Sequence, residues 1–317
     1  MRVPFVRAVS DVLAGDSSGM FITGDLGFNA LEELASSLGK RFLNAGVAEQ
    51  NMMGVAAGAA LTGLRPWVYS IAPFATYRCL EQIRNDICLH HLPVRIAGNG
   101  GGFTYGIMGS THHALEDLAV LKSLPNMQLF FPCGNDHVAA AVTKMAALTG
   151  PSYIRLAISA YDTARSPLHE NPVTLTRHYF ARASRKAPGV TIVGAGHGVQ
   201  VALHALANLH LDRENVDVFG VARFPLDLAS DELLAASLAE TRRVVFVEEH
   251  YRAGGIGESF ALAVAPVTSL TSLRLLSASY DRAQRYGSPR FHMQQCNLTP
   301  DALVAAVTDA VSLAGRS

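Results

Sequence analysis

No excess of charge of either sign marks this chain of 317 residues: Lys plus Arg and Asp plus Glu number 26 each, and there is no dense basic run. Nucleic acid and anionic membrane surfaces are therefore poor partners. Cysteine is scarce. Cys79, Cys88, Cys133 and Cys296 are scattered, without a CxxC pair or a Cys/His cluster at ligand spacing, so they read as thiols in a reducing compartment and no metal ligand is assigned. No apolar run has the length of a charge-free membrane span, and the opening MRVPFVRAVSDVL lacks an apolar core followed by a small-residue cleavage site. A cytoplasmic chain without membrane attachment is expected. Charged residues make up only 16% of the sequence against 49% apolar, and the length exceeds that of a usual single core, so two domains are expected.

Apolar runs short enough for buried strands alternate with segments of helical period. Strands are expected at Met20–Thr23, Arg41–Asn44, Trp67–Ile71, Val94–Ala97, Met127–Phe131 and Tyr153–Leu156. Helices are expected at Asn29–Leu38, Gln50–Leu61, Phe74–His90, Leu115–Leu121 and Asp136–Leu148. From Ala157 to Gly189 the pattern breaks into a polar stretch with Pro167, Pro172, Pro188 and the basic residues Arg165, Arg177, Arg182, Arg185 and Lys186, which reads as a linker. A second alternation follows, with strands Val190–Val193, Val216–Val221, Val244–Glu248 and Leu273–Ser277 and helices near Val199–Leu209, Asp231–Ala239, Glu258–Val264 and Asp301–Leu313. The expected fold class is α/β in two domains, residues 1–160 and 188–317 joined by a linker over 161–187, each a mostly parallel sheet wrapped by helices.

The stretch RFLNAGVAEQNMMGVAAGAA at Arg41–Ala60 places one carboxylate, Glu49, where a strand gives way to a helix of small, uncharged residues. That helix has no charged face to offer water, so it has to be covered on all sides, by this chain or another. Glu49 reads as the one buried ionisable group of the segment. The local pattern leaves open whether it does chemistry or caps the first-turn amides of its helix.

Several ordered motifs carry a resemblance that spans nearly the whole chain: GDLG at Gly24–Gly27, NAGVAEQNMMGVAAGAALTGLRP at Asn44–Pro66, FATYRCLEQIRNDI at Phe74–Ile87, GSTHHALEDLAVLKSLPNM at Gly109–Met127 and GPSYIRL at Gly150–Leu156. This half resembles the pyrimidine-binding domain of transketolases. The second half, with TIVGAGHGVQVALHAL at Thr191–Leu206 and RRVVFVEEHYRAGGIGES at Arg242–Ser259, is similar to the carboxy-terminal domain of that family. The resemblance implies thiamine diphosphate bound across a subunit interface, its aminopyrimidine in one domain and its diphosphate, held through Mg2+, in another. Glu49 matches the glutamate that hydrogen-bonds the pyrimidine ring nitrogen and so favours the imino tautomer that deprotonates the thiazolium carbon. Phe74 matches the aromatic that stacks on the pyrimidine, Asp25 and Leu26 fall in the cofactor-contacting GDLG turn, and His112 matches the histidine that faces the substrate. Its neighbour His113 reads as a loop residue without a task.

The chain also departs from the family pattern. Where transketolases carry GEDG, this sequence reads Gly106, Ile107, Met108, Gly109, which removes an acceptor for a sugar hydroxyl; where an arginine would hold a sugar phosphate, Ile158 stands. A less polar or unphosphorylated substrate follows from both. Arg155 resembles a structural position. The family's diphosphate-binding GDG motif, followed by an asparagine about thirty residues on, is not found, since Gly24 and Asp25 are followed by Leu26. The expectation is the carboxy-terminal subunit of a split transketolase, transferring a two-carbon ketol unit between sugar-like small molecules. It would work with an amino-terminal diphosphate-binding subunit that holds most of the Mg2+ site, as a heterotetramer. Two other readings share the domain plan: the beta subunit of a 2-oxo-acid dehydrogenase, and a non-catalytic scaffold subunit. Neither GAGHG at Gly194–Gly198 nor Glu248, Glu249 and His250 is assigned a ligand; the first reads as a strand-to-helix turn.

Overall fold

Thirteen strands appear among the described residues. In chain order they are β1 (Gly19–Thr23), β2 (Phe42–Asn44), β3 (Arg65–Ile71), β4 (Arg95–Asn99), β5 (Gln128–Phe130), β6 (Ser152–Leu156), β7 (His169–Asn171), β8 (Thr176–Phe180), β9 (Val190–Ala195), β10 (Val216–Val221), β11 (Arg223–Phe224), β12 (Arg243–Tyr251) and β13 (Ser272–Ala278). The structure is a computed structural model and describes residues 1–161, 163, 165–183, 189–208, 214–281 and 283–312. Arg185, Lys186, Pro188 and the expected helix ends Leu209 and Leu313 lie outside them.

The strands form two sheets, of order β11-β5-β6-β4-β3-β1-β2 and β13-β12-β9-β10-β8-β7. Every pairing is parallel except those of β11 with β5, β10 with β8 and β8 with β7. Parallel neighbours need crossovers, which helices supply on both faces, so central strands such as Arg65–Ile71 and Val190–Ala195 are buried nearly end to end. Each half is thus a mostly parallel sheet wrapped by helices.

The two halves are joined by more than chain connectivity. Strand β11 follows β10 of the second sheet and adds to the edge of the first, pairing Arg223 with Phe130 and Phe224 with Leu129. The segment expected as a linker supplies β7 and β8 to the second sheet. Its charges are not a solvated run: Arg177 is buried and pairs with Glu170 at 2.5 Å and Asp136 at 2.7 Å, and Arg182 pairs with Asp217 at 3.4 Å and with Glu240. Short strands whose polar side chains are satisfied by distant partners carry no apolar alternation, and the sequence pattern missed them for that reason.

Other boundaries moved for local reasons. The single helix expected over Phe74–His90 is three pieces, Ala72–Thr76, Leu80–Gln82 and a wide π turn at Ile83–Cys88, with Pro73 in the first turn of the opening piece. The helix Arg2–Gly15 was not anticipated, although its buried Phe5, Ala8, Val9 and Leu13 follow a helical period. No helix among the described residues is long and apolar enough to cross a membrane.

Candidate active site

Four adjacent strands of the first sheet, β4-β3-β1-β2, run parallel, so the loops leaving their carboxyl ends gather along one edge. In open parallel sheets that edge is where ligands bind. Strand β1 leads into Gly24–Gly27, β2 into Glu49, β3 into Phe74, and β4 into the glycine-rich loop carrying His112. Topology alone therefore brings the residues singled out in the sequence to one place.

Glu49 is the first residue of the helix Glu49–Leu61, and its side chain is 2% exposed. It does not stand alone in an apolar wall. The Arg78 guanidinium donates from Nη1 to Oε2 at 2.7 Å, and Ser70 Oγ lies 3.5 Å from Oε1. The helix dipole also favours a carboxylate in the first turn. Beside it, burial and then the negative charge of Glu49 push the Cys79 thiol up to about 12. Arg78 was not foreseen from the sequence. It sits four residues after Phe74, in the turn between the helical pieces Ala72–Thr76 and Leu80–Gln82, and that spacing within FATYRCLEQIRNDI was the available signal.

The contacts continue outward from Arg78. Its guanidinium carbon lies 4.4 Å from the centroid of the Phe74 ring, and Phe74 meets His112 edge-on at 5.2 Å. Thr111 Oγ1 engages His112 Nδ1 at 3.0 Å, and Tyr105, held by Asn99 Nδ2 at 2.6 Å, meets the imidazole edge-on at 6.3 Å. Arg78 thus links Glu49 to Phe74, and the Phe74 ring carries the chain of contacts on to His112. Asp25 and Leu26 lie on the adjoining turn, reached through Gly24, where an added Cβ would stand 3.6 Å from Glu49 Cγ. Asp25 has φ +58° and exchanges two hydrogen bonds with the Asn44 side chain, its N–H donating at 3.1 Å and its Oδ1 accepting at 2.9 Å. The Thr23 hydroxyl donates to the Leu26 carbonyl at 2.9 Å, which fixes that turn.

The second half braces the His112 loop. His292 Nε2 lies 3.1 Å from the Gly106 carbonyl, and an added Cβ on Gly109 would come within 2.5 Å of the Tyr286 ring. His113 is more than a loop residue: it packs edge-on against Phe103 at 5.1 Å and His292 at 4.7 Å, and burial, then His292, lowers its pKa. Ile107, Met108 and Ile158 are exposed, and Ile158 N–H donates to Thr104 Oγ1 at 3.0 Å, which sets it beside the same loop. Arg155 is buried in an ion pair with Asp117 at 3.2 Å.

The remaining motifs are structural in their contacts. Glu248 accepts from the Ile256 and Gly257 amides at 2.8 and 3.2 Å, capping the helix Ile256–Val264, and Glu249 pairs with His197 at 2.6 Å. Burial raises the Glu248 carboxyl to about 7, above its free value of 4.5. Folding therefore takes up a proton between these values; the stability this gives is full below pH 4.5 and is lost as pH rises through 7. Urea midpoints measured from pH 5 to 8 should fall for the wild type and stay flatter for Glu248→Gln, the two diverging by on the order of 1–3 kcal/mol at pH 8. Among the described residues no group of three or more His, Cys, Asp or Glu is arranged to hold a metal ion.

The family model described as transketolase, pyrimidine binding domain, matches residues 3–163, and that described as transketolase, C-terminal domain, matches residues 180–295. The chain is 30% identical over 262 residues to an apulose-4-phosphate transketolase subunit of Phocaeicola vulgatus, covering 81% of this chain and 80% of that one. It is 33% identical over 234 residues to a putative transketolase C-terminal section of Methanocaldococcus jannaschii, covering 73% and 71%. Among solved structures, a split-gene transketolase described as an inactive beta4 tetramer superposes with a TM-score of 0.84 at 31% identity, over 98% of both chains. The chain belongs to the transketolase family, whose domains imply dependence on thiamine diphosphate.

Proposed function

We propose that this chain is the pyrimidine-binding subunit of a split transketolase, moving a two-carbon ketol unit from a ketose-type donor to an aldehyde acceptor. The observation that carries the reading is the convergence of a buried carboxylate, Glu49, a half-buried flat ring, Phe74, and an imidazole, His112, at the carboxyl edge of one parallel sheet. These residues fit an aminopyrimidine. A carboxylate shielded from water bonds a ring nitrogen without competition, and an apolar ring takes the face of a heterocycle. When bound, thiamine diphosphate supplies the electron sink. Glu49 holds and moves the proton at the ring nitrogen. His112, its Nδ1 engaged by Thr111, offers Nε2 to the substrate oxygens. Asp25 and Leu26 shape the adjoining wall.

The diphosphate and Mg2+ we assign to a separate amino-terminal subunit, in a heterotetramer with sites at its interfaces. The helix Glu49–Leu61 supports a partner there: Asn51, Gly54, Gly58 and Leu61 form an exposed, uncharged stripe, and beyond the helix's own backbone neither glycine has an atom within 4 Å of where its Cβ would be. Another backbone can approach closely. The apolar surface of Ile107, Met108 and Ile158 near His112 favours a substrate less polar than a sugar phosphate.

Calorimetric titration of thiamine diphosphate and Mg2+ into this chain, alone and with the partner subunit, tests the assignment. Binding is expected only in the pair, and saturable binding by the lone chain would overturn the division of labour. Offering the loaded pair an aldose or lipoamide then separates ketol transfer from the chemistry of a 2-oxo-acid dehydrogenase.

A further inference from the structure

The guanidinium of Arg78 already does what an aminopyrimidine would do at this site. It is planar and cationic, it donates to Glu49 Oε2 at 2.7 Å, and it lies over the Phe74 ring at 4.4 Å from the centroid. It is also the outer member of the pair, 45% exposed against 2% for Glu49, so it stands between the carboxylate and solvent. A buried carboxylate without a counter-charge costs several kcal/mol, which gives the chain a reason to keep this cation in place. A heterocycle arriving from another subunit meets Arg78 before it meets Glu49.

We propose that Arg78 is an internal stand-in for the cofactor's ring, a gate that closes the pyrimidine site and has to swing outward before the ring can reach Glu49 and Phe74. This rests on the function proposed above and adds a competitor to it. A side chain that is nearly half exposed has room to rotate, and its long apolar stem can stay on the surface while the charged end moves into water. The gate lowers apparent affinity by the fraction of time it is open, because a site competent only part of the time binds correspondingly more weakly.

The test is made on the assembled pair of subunits. For Arg78→Gln, calorimetry is expected to give a Kd for thiamine diphosphate about tenfold lower than wild type, with faster association in stopped-flow mixing. Arg78→Lys keeps the charge but not the planar fork, and should fall between the two. Thermal melting of each lone chain reports whether the variants fold, and Arg78→Gln should melt lower, having left Glu49 unpaired. An unchanged or weakened Kd in Arg78→Gln, with the wild-type pair binding normally, would overturn the gate and leave the function standing. A wild-type pair that binds no thiamine diphosphate would overturn both.

Discussion

With the partner subunit present, Glu49→Gln is expected to slow ketol transfer about a hundred- to ten-thousand-fold, the range that a positioned acid–base group contributes. Glutamine nearly preserves the shape of glutamate, and its amide oxygen can still accept from Arg78 Nη1, which now bonds Oε2 at 2.7 Å. What it cannot do is take up and return a proton at the ring nitrogen. The loss should therefore appear in kcat, and in the rate of hydrogen–deuterium exchange at the thiazolium carbon followed by NMR, more than in cofactor affinity. Burying an unpaired Arg78 is less of a concern than the reverse, since that side chain is 45% exposed. A melting temperature within a few degrees of wild type would show that the fold survives. Undiminished kcat would point to the scaffold reading, in which the fold is kept and the chemistry is not.

How much of this was legible in the sequence follows from what each feature depends on. The parallel sheets were visible because strands buried on both faces, such as Arg65–Ile71 and Val216–Val221, are short, largely apolar runs bounded by turns, broken by few polar residues such as Ser70 and Asp217. Glu49 stood out for a related reason: a single charge in a stretch of alanine, glycine and methionine is conspicuous. Arg78 did not, because an arginine in a polar segment looks like any solvated residue until tertiary structure shows its partner. The same blindness applied to Arg177 and Arg182, whose carboxylate partners lie 7 to 58 positions away, and made a paired segment look like a linker. His113 is a further instance. Its neighbours Phe103 and His292 come from different halves of the chain, and no local pattern joins them. Period and composition report burial well; they are silent on which charges find each other.

That silence covers the buried ion pair from which the second large effect is expected. Asp117→Ala should destabilise the chain by about 3–5 kcal/mol, the usual consequence of leaving one member of a buried pair without its partner. Asp117 is wholly buried, accepts from the Tyr153 hydroxyl at 2.7 Å, and pairs with Arg155 Nε at 3.2 Å. The Arg155 guanidinium also donates to the carbonyls of Ala114 and Glu249, one on the segment leaving the His112 loop and the other in the second half. Removing the carboxylate leaves that cation buried with its Nη2 on two carbonyl oxygens, and takes away the acid that acts on its charge more strongly than Glu249 does. Asp117→Asn keeps an acceptor for Tyr153 and should lose less. Urea denaturation measures both, and the double variant Asp117→Leu with Arg155→Met separates charge from packing: removing both charges should recover much of what either single change loses. A loss below 1 kcal/mol for Asp117→Ala would mean that the carbonyl oxygens already balance Arg155 and that the bond between loop and second half does not need the acid.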